Sequence, residues 1–148
     1  RFFTVYGPWG RPDMALYKFT KNIIKDVPID LFNNGKHVRD FSYIDDVVYY
    51  ILSLTKKFSI KKNKIPFRVF NIGNGKPEKL ADYLKLIELN LKKKAKINKY
   101  NLQKGDVYKT HSSMRKTWKI TKKKNHTSID VGIQKFINWF KEFNAEKF

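Results

Sequence analysis

The sequence predicts a mixed α/β fold in a single domain. Short apolar runs bounded by glycine, proline or asparagine alternate with longer stretches of helical periodicity. Hairpin signals are few, and no internal repeat or low-complexity linker interrupts the chain. At 148 residues, 41% hydrophobic and 16% aromatic, the chain is long and apolar enough for a core of its own.

Residues 1–6 read as a strand, closed by the Gly7-Pro8 and Gly10 cluster. This opening, RFFTVYGPWGRPDMA, starts on Arg1 instead of methionine and runs straight into apolar residues, as the interior of a strand would. Asp13 is placed to cap a helix to about residue 25, with Leu16, Phe19, Ile23 and Ile24 on one face. A short strand over 29–32 follows Pro28 and ends at Asn33-Asn34-Gly35, and 38–42 is a second extended piece. A helix from 44 to about 56 shows Val47, Val48, Ile51, Leu52 and Leu54 as a broad stripe for burial. Residues 67–72 form the cleanest strand, and Pro77-Glu78 opens a helix carrying Leu80, Tyr83, Leu84, Ile87 and Leu91. After an extended piece near Ile97, a helix from about 128 to 143 brings Val131, Ile133, Phe136, Ile137, Trp139 and Phe140.

A formal charge of +19 points first to a polyanionic partner, either nucleic acid or an anionic membrane surface. Only five of the 32 basic residues are arginine, however, and arginine makes the bidentate contacts that phosphate and guanine invite. Scattered lysine beside many Asn and Ile reads as compositional bias. The runs Lys92-Lys93-Lys94 and Lys122-Lys123-Lys124 read as solvated faces and turns. No apolar run reaches about 18 residues and no signal peptide is visible, so a membrane span is not indicated. Cysteine is absent, which removes disulfides, thiol catalysis and zinc fingers.

Several chemical motifs fail on inspection. Phe70-Asn71-Ile72-Gly73-Asn74-Gly75 imitates the strand and glycine turn that cradle a pyrophosphate, but Glu78 stands where the third glycine of that fingerprint belongs. The turn therefore reads as structural. Gly75-Lys76 leads to Pro77, where a phosphate loop needs Ser or Thr. Tyr17 with Lys21 and Tyr100 with Lys104 match the Tyr-x-x-x-Lys spacing of short-chain reductases, yet the abundance of lysine and tyrosine yields such pairs by chance, and both read as surface pairs. His37, His111 and His126 lack metal spacing, and His37 reads as a surface residue. Asp45-Asp46 sits at a helix start, where acids cap free amides and favour the macrodipole.

What remains is a set of loops at strand ends, the places where mixed α/β folds gather ligands. They run over 4–11, 30–39 and 103–108, and they hold Arg11 and Arg39, two candidates for a planar anion contact.

In that order and spacing, RFFTVYGPWGRPDMAL, PIDLFNNGKHVRDFSYIDDVV, FRVFNIGN and LQKGDV resemble the C-terminal half of the extended short-chain dehydrogenase/reductases that act on nucleotide sugars, the NAD-dependent epimerase/dehydratase family. The intact TVYGPWGRPDMA resembles most the UDP-glucuronate 4-epimerases within it. The resemblance implies that residues 1–148 are the substrate-binding part of a Rossmann-type enzyme whose NAD-binding core is largely missing here, with residues 1–6 a late strand of that core. The catalytic residues would then lie upstream of Arg1, and this chain alone is expected to be inactive.

It further implies a cytoplasmic, homodimeric enzyme that moves hydride from the sugar C4 to NAD and back to the opposite face, holding the uridine diphosphate while the keto sugar turns. By motif position Asp30, Leu31 and Phe32 would lie along the uracil, offering mostly backbone contacts, Arg39 would pair with the diphosphate, and Asp106 would accept from a ribose hydroxyl. Thr4 and Arg11 would face the sugar, Arg11 reading the uronate carboxylate. Gln103 stands where related epimerases often carry a second phosphate-binding arginine, Ser112-Ser113 replaces the family's Ala-Asp, and Lys122-Lys123-Lys124-Asn125 replaces a Gly-Phe-x-Pro turn. Two other functions stay open: nucleotide-sugar dehydration or decarboxylation on the same scaffold, and a free-standing basic module for nucleic acid or another polyanion.

Overall fold

In the computed structural model, which describes residues 1–57, 67–123 and 126–144, the short strands pair two by two and five α-helices close around them. Strand β1 (Thr4–Tyr6) lies parallel to β4 (Phe41–Tyr43), with Thr4 opposite Phe41 and Tyr6 opposite Tyr43. Strand β2 (Ile29–Phe32) lies parallel to β6 (Ile97–Tyr100), and β3 (Val38–Arg39) is antiparallel to β5 (Glu78–Lys79). Parallel pairs need long crossovers, which the intervening helices supply.

The strand expected over 67–72 shrinks to its end. The Arg1 backbone nitrogen donates to the Phe70 carbonyl at 2.7 Å, Ile72 N–H to the Arg1 carbonyl at 2.9 Å, and Phe3 N–H to the Ile72 carbonyl at 3.2 Å. Among the described residues the backbone pairing of this segment runs through Phe70 and Ile72, and Phe67 stands 85% exposed. Strand β1 stops at Gly7, whose φ of 137° lies in the region L-residues avoid; a Cβ there would meet Ile44 Cγ2 at 2.6 Å.

Helix α1 (Ala15–Ile24) buries Leu16, Phe19 and Ile23 as its periodicity predicts. Its N-cap is Met14, not Asp13. The Asp13 carboxylate turns back to Arg11 instead, taking Nε at 3.0 Å and Nη2 as a second bond, and a bidentate guanidinium outcompetes a single backbone amide. In α2 (Ile44–Lys57) the buried positions are Val47, Tyr50 and Leu54, while Val48, Ile51 and Leu52 stay exposed. The expected broad stripe is thus a narrow one; the 3–4 spacing of the buried set is what packs.

Helices α3 (Leu80–Leu91) and α5 (Ile129–Phe143) pack on each other and on β4. Phe41 stacks on Tyr83 at 4.1 Å between ring centroids, with planes 6° apart. Helix α5 buries Ile133, Phe136, Ile137 and Phe140. Each contributes roughly 1.5–3 kcal/mol by burial, so this face outweighs the Ser128 cap, worth about 1 kcal/mol, in holding the helix. A short helix, α4 (Arg115–Thr121), which periodicity did not single out, joins Met114 and Ile72 in a second, smaller core against α2.

Candidate functional site

Residues 38–41 organise the site because a strand sends successive side chains to opposite faces. Arg39 and Phe41 line one cleft, whereas Asp40, fully buried, points the other way. The Asp40 carboxylate accepts Asn74 N–H at 2.7 Å, Gly75 N–H at 3.0 Å, Ser112 N–H at 2.8 Å and the Ser112 hydroxyl at 2.7 Å. It ties two separate segments, the glycine turn and the Ser112 stretch, to the back of Arg39. The Gly73–Gly75 turn is structural in this sense: its free amides serve an internal carboxylate and are unavailable to a phosphate. Ser112, a departure from the family pattern, supplies two of the four donors.

The cleft in front is lined by Thr4, Asp30, Phe32, His37, Arg39 and Asp106, with Lys18 and Phe19 of α1 alongside. Arg39 Nη1 donates to the carbonyls of Val38 at 3.2 Å and Tyr108 at 3.1 Å, and Nη2 donates to Asp106 Oδ1 at 3.0 Å. These bonds fix the guanidinium plane. Asp30 accepts from Asn98 across the β2–β6 pair at 3.1 Å, and Phe32 stacks on Tyr100 at 5.2 Å.

Five sequence-predicted residues, Thr4, Asp30, Phe32, Arg39 and Asp106, therefore meet in one cleft. Leu31 does not send its side chain there; it is buried in the core. Arg11 lies one step away among Tyr6, Gly10 and Met14, bound to Asp13. That contact holds the exposed Asp13 carboxyl below its usual range. Gln103 sits in the exposed turn before Asp106, its carbonyl accepting Asp106 N–H at 3.2 Å.

His37 corrects the sequence reading. Its side chain is 4% exposed, and Nε2 lies 3.1 Å from Asp106 Oδ2 without hydrogen-bonding alignment. A lone polar residue in a loop gave no sign of this, because burial here comes from Leu80 and Lys109 closing on either side of β3. Tyr17, read as a surface residue, packs half-buried against Phe140 at 5.0 Å.

Asp46 is also repositioned. Its carboxylate leaves its own helix end to accept Lys123 Nζ at 2.6 Å and Thr127 N–H at 2.7 Å, pinning the chain between α4 and α5 to α2. Burial opposes ionisation of Asp46, but these donors outweigh it and hold its carboxyl below the usual range. Beside it the Tyr50 hydroxyl meets His126 Nε2 at 2.6 Å; burial raises Tyr50 to about 12 and lowers His126. Lys124 and Asn125, in the expected solvated turn, lie outside the described residues. Among the described residues no helix is long and apolar enough to cross a membrane.

The same segments that build this cleft are shared with known proteins. Residues 1–73 match the model of the NAD dependent epimerase/dehydratase family. Among its relatives, Protein CapI of Staphylococcus aureus is 42% identical in a 155-position alignment that covers 97% of this chain and 46% of that protein. UDP-glucuronate 4-epimerase 4 of Arabidopsis thaliana is 40% identical in a 151-position alignment that covers 95% of this chain and 35% of that protein. The UDP-glucuronic acid 4-epimerase of Bacillus cereus, solved with UDP-glucuronic acid and NAD, superposes with a TM-score of 0.85 at 29% identity, covering 97% of this chain and 44% of that one. The chain thus has the extended short-chain dehydrogenase/reductase architecture and spans under half the length of the relatives it matches.

Proposed function

We propose that this chain is the UDP-sugar-binding half of an NAD-dependent nucleotide-sugar 4-epimerase, with UDP-glucuronate as its substrate. The observation that carries the reading is the convergence of Arg39 and Asp106, 67 positions apart, in one cleft with Asp30 and Phe32. Arg39 is oriented by two carbonyls and a carboxylate, which leaves part of its fork for a diphosphate. Asp106 offers acceptor oxygens to ribose hydroxyls, and the Phe32 edge of β2 offers an apolar wall to the base. Thr4, on the same wall, faces the sugar, and Arg11 would exchange Asp13 for the uronate carboxylate.

The cofactor does not fit within these residues. The Gly73–Gly75 turn, which imitates a pyrophosphate cradle, has its amides on Asp40. NAD is therefore assigned to an NAD-binding half outside this chain, as the greater length of the relatives supports. In the same reading residues 1–6 form a late strand of that half, and the exposed apolar side of α2 (Val48, Ile51, Leu52) faces it.

The test is calorimetric titration of UDP into the chain and into Arg39→Ala. A charge-assisted contact is worth roughly 1.5–3 kcal/mol, so affinity should fall about 10- to 100-fold. Equal affinity refutes the clamp. In the native enzyme Arg11→Ala should reduce kcat/KM for UDP-glucuronate by about tenfold more than for UDP-glucose; equal losses would show that Arg11 does not read the carboxylate.

A further inference from the structure

We infer that Trp9 is a positioning residue for Arg11: its ring, clamped on the last turn of α5, holds the turn after β1 in a conformation that its own backbone disfavours and so sets where the Arg11 guanidinium meets the sugar. The inference rests on the reading of Arg11 as the contact of the uronate carboxylate, and adds to it a residue and a helix end that lie outside the Arg39 cleft.

Three observations support it. First, Trp9 has a φ of 60°. This is the left-handed region, which a bulky L-residue enters only where its surroundings hold it, and such outliers gather at ligand clamps. Second, the surroundings that hold it are aromatic. The Trp9 ring lies 4.8 Å from that of Phe143, edge to face with planes 70° apart, and 5.3 Å from that of Trp139. Those two rings, one helical turn apart, stack on each other at 5.2 Å, and Trp139 reaches on to the buried Phe136 at 5.5 Å. Ring pairs in such arrangements attract beyond the area they cover. That matters here because Trp9 stays 74% exposed and gains little from burial. Third, the strained residue stands two positions before Arg11, and the two share one hollow with Phe3 and Ile44.

The backbone of the turn carries the effect to the guanidinium. Its first corner is fixed where Gly7 presses on Ile44. Gly10 N–H then donates back to the Gly7 carbonyl at 3.2 Å, and Met14 N–H donates to the Arg11 carbonyl at 3.1 Å. Between those bonds Trp9 supplies the reversal. A return of its φ to the negative region would pull Gly10 off the Gly7 carbonyl and swing Arg11 with it, while β1 and the Arg39 cleft stay in place. Trp9 therefore governs the sugar contact and not the nucleotide contact.

Trp9→Gly in the native enzyme tests this, since glycine accepts the same φ without strain and only the ring is lost. Its kcat/KM for UDP-glucuronate should fall about fivefold more than for UDP-glucose, while inhibition by UDP, which reads the Arg39 cleft and the integrity of the fold, stays within about twofold. Trp9→Phe keeps a ring for Phe143 and should hold the ratio of the two substrates within about twofold of the wild type. Phe143→Ala, on the far side of the contact, should lower that ratio about threefold. Added to Arg11→Ala, Trp9→Gly should cost nothing further, because a residue that acts through Arg11 has nothing left to act on. An unchanged ratio in Trp9→Gly or Phe143→Ala, a fall in Trp9→Phe as large as in Trp9→Gly, weakened UDP inhibition in Trp9→Gly, or additive losses in the double variant each overturns the role of Trp9 and leaves the Arg11 contact standing. Equal losses on both substrates in Arg11→Ala overturn that contact itself, and with it this inference.

Discussion

Replacing Asp40 by alanine isolates the anchor behind the site. The substitution removes the acceptor for three backbone amides, those of Asn74, Gly75 and Ser112, and for the Ser112 hydroxyl. The hydroxyl can rotate to another acceptor. Gly75 N–H keeps the Ser112 hydroxyl oxygen at 3.1 Å, but the Asn74 and Ser112 amides lose their acceptor, and a buried donor left unpaired costs about 1–3 kcal/mol. Water entering the vacated space recovers part of this, so a loss of about 4 kcal/mol is expected. Domains of this kind have about 5–15 kcal/mol in total, so the variant should retain the fold only marginally. With a urea dependence of about 2 kcal/mol per molar, the unfolding midpoint should fall by about 2 M. Asp40→Asn keeps the volume but turns an amide group toward amides, and about half of that fall is expected. Urea titration followed by circular dichroism reads both. A shift below about 0.5 M for Asp40→Ala would mean that the turn and the Ser112 segment hold without their common acceptor.

Gly132→Ala should destabilise α5 by about 1–3 kcal/mol, since the added Cβ would overlap the Tyr6 ring, with Cε2 and Cζ at 2.7 Å; thermal melting at unchanged Tm would refute the tight approach. The Asp46 carboxyl is held below its unfolded value, so its contribution is present above about pH 4 and is lost as pH falls through the lower folded value. Melting curves should show a steeper acid loss in the wild type than in Asp46→Asn, and parallel curves would remove Lys123 and Thr127 as its partners.

Much of this fold is legible in the sequence wherever a face repeats. Helices α1, α3 and α5 follow from residues such as Phe19, Tyr83 and Phe136 recurring every third or fourth position, a signal that needs no knowledge of the partner. Strand 67–72 shows the limit of that logic: β-propensity reports a surface fit for pairing, not the existence of a neighbour. Helix α4 is seven residues long and offers only Trp118 and Ile120 as large apolar residues, too few to establish a period. The site is harder. Arg39 and Asp106 could be associated through family resemblance, but no spacing rule joins positions so far apart. Asp40 drew no notice because a lone aspartate is ordinarily a surface residue, and its burial is compensated only by donors from distant segments. The burial of His37 and the partners of Asp46 escape the sequence for the same reason: both are tertiary.

The alternation of Arg39 toward the cleft and Asp40 toward the interior also constrains the length of the chain at this point. Deleting or inserting one residue between Val38 and Phe41 would rotate the register by one face, turning a guanidinium into the pocket of backbone amides and a carboxylate into the anion cleft. Each would then face charge of its own sign. This four-residue stretch can therefore vary in side-chain size but not in residue number, and in a lineage of such proteins gaps should accumulate on either side of it and never within it.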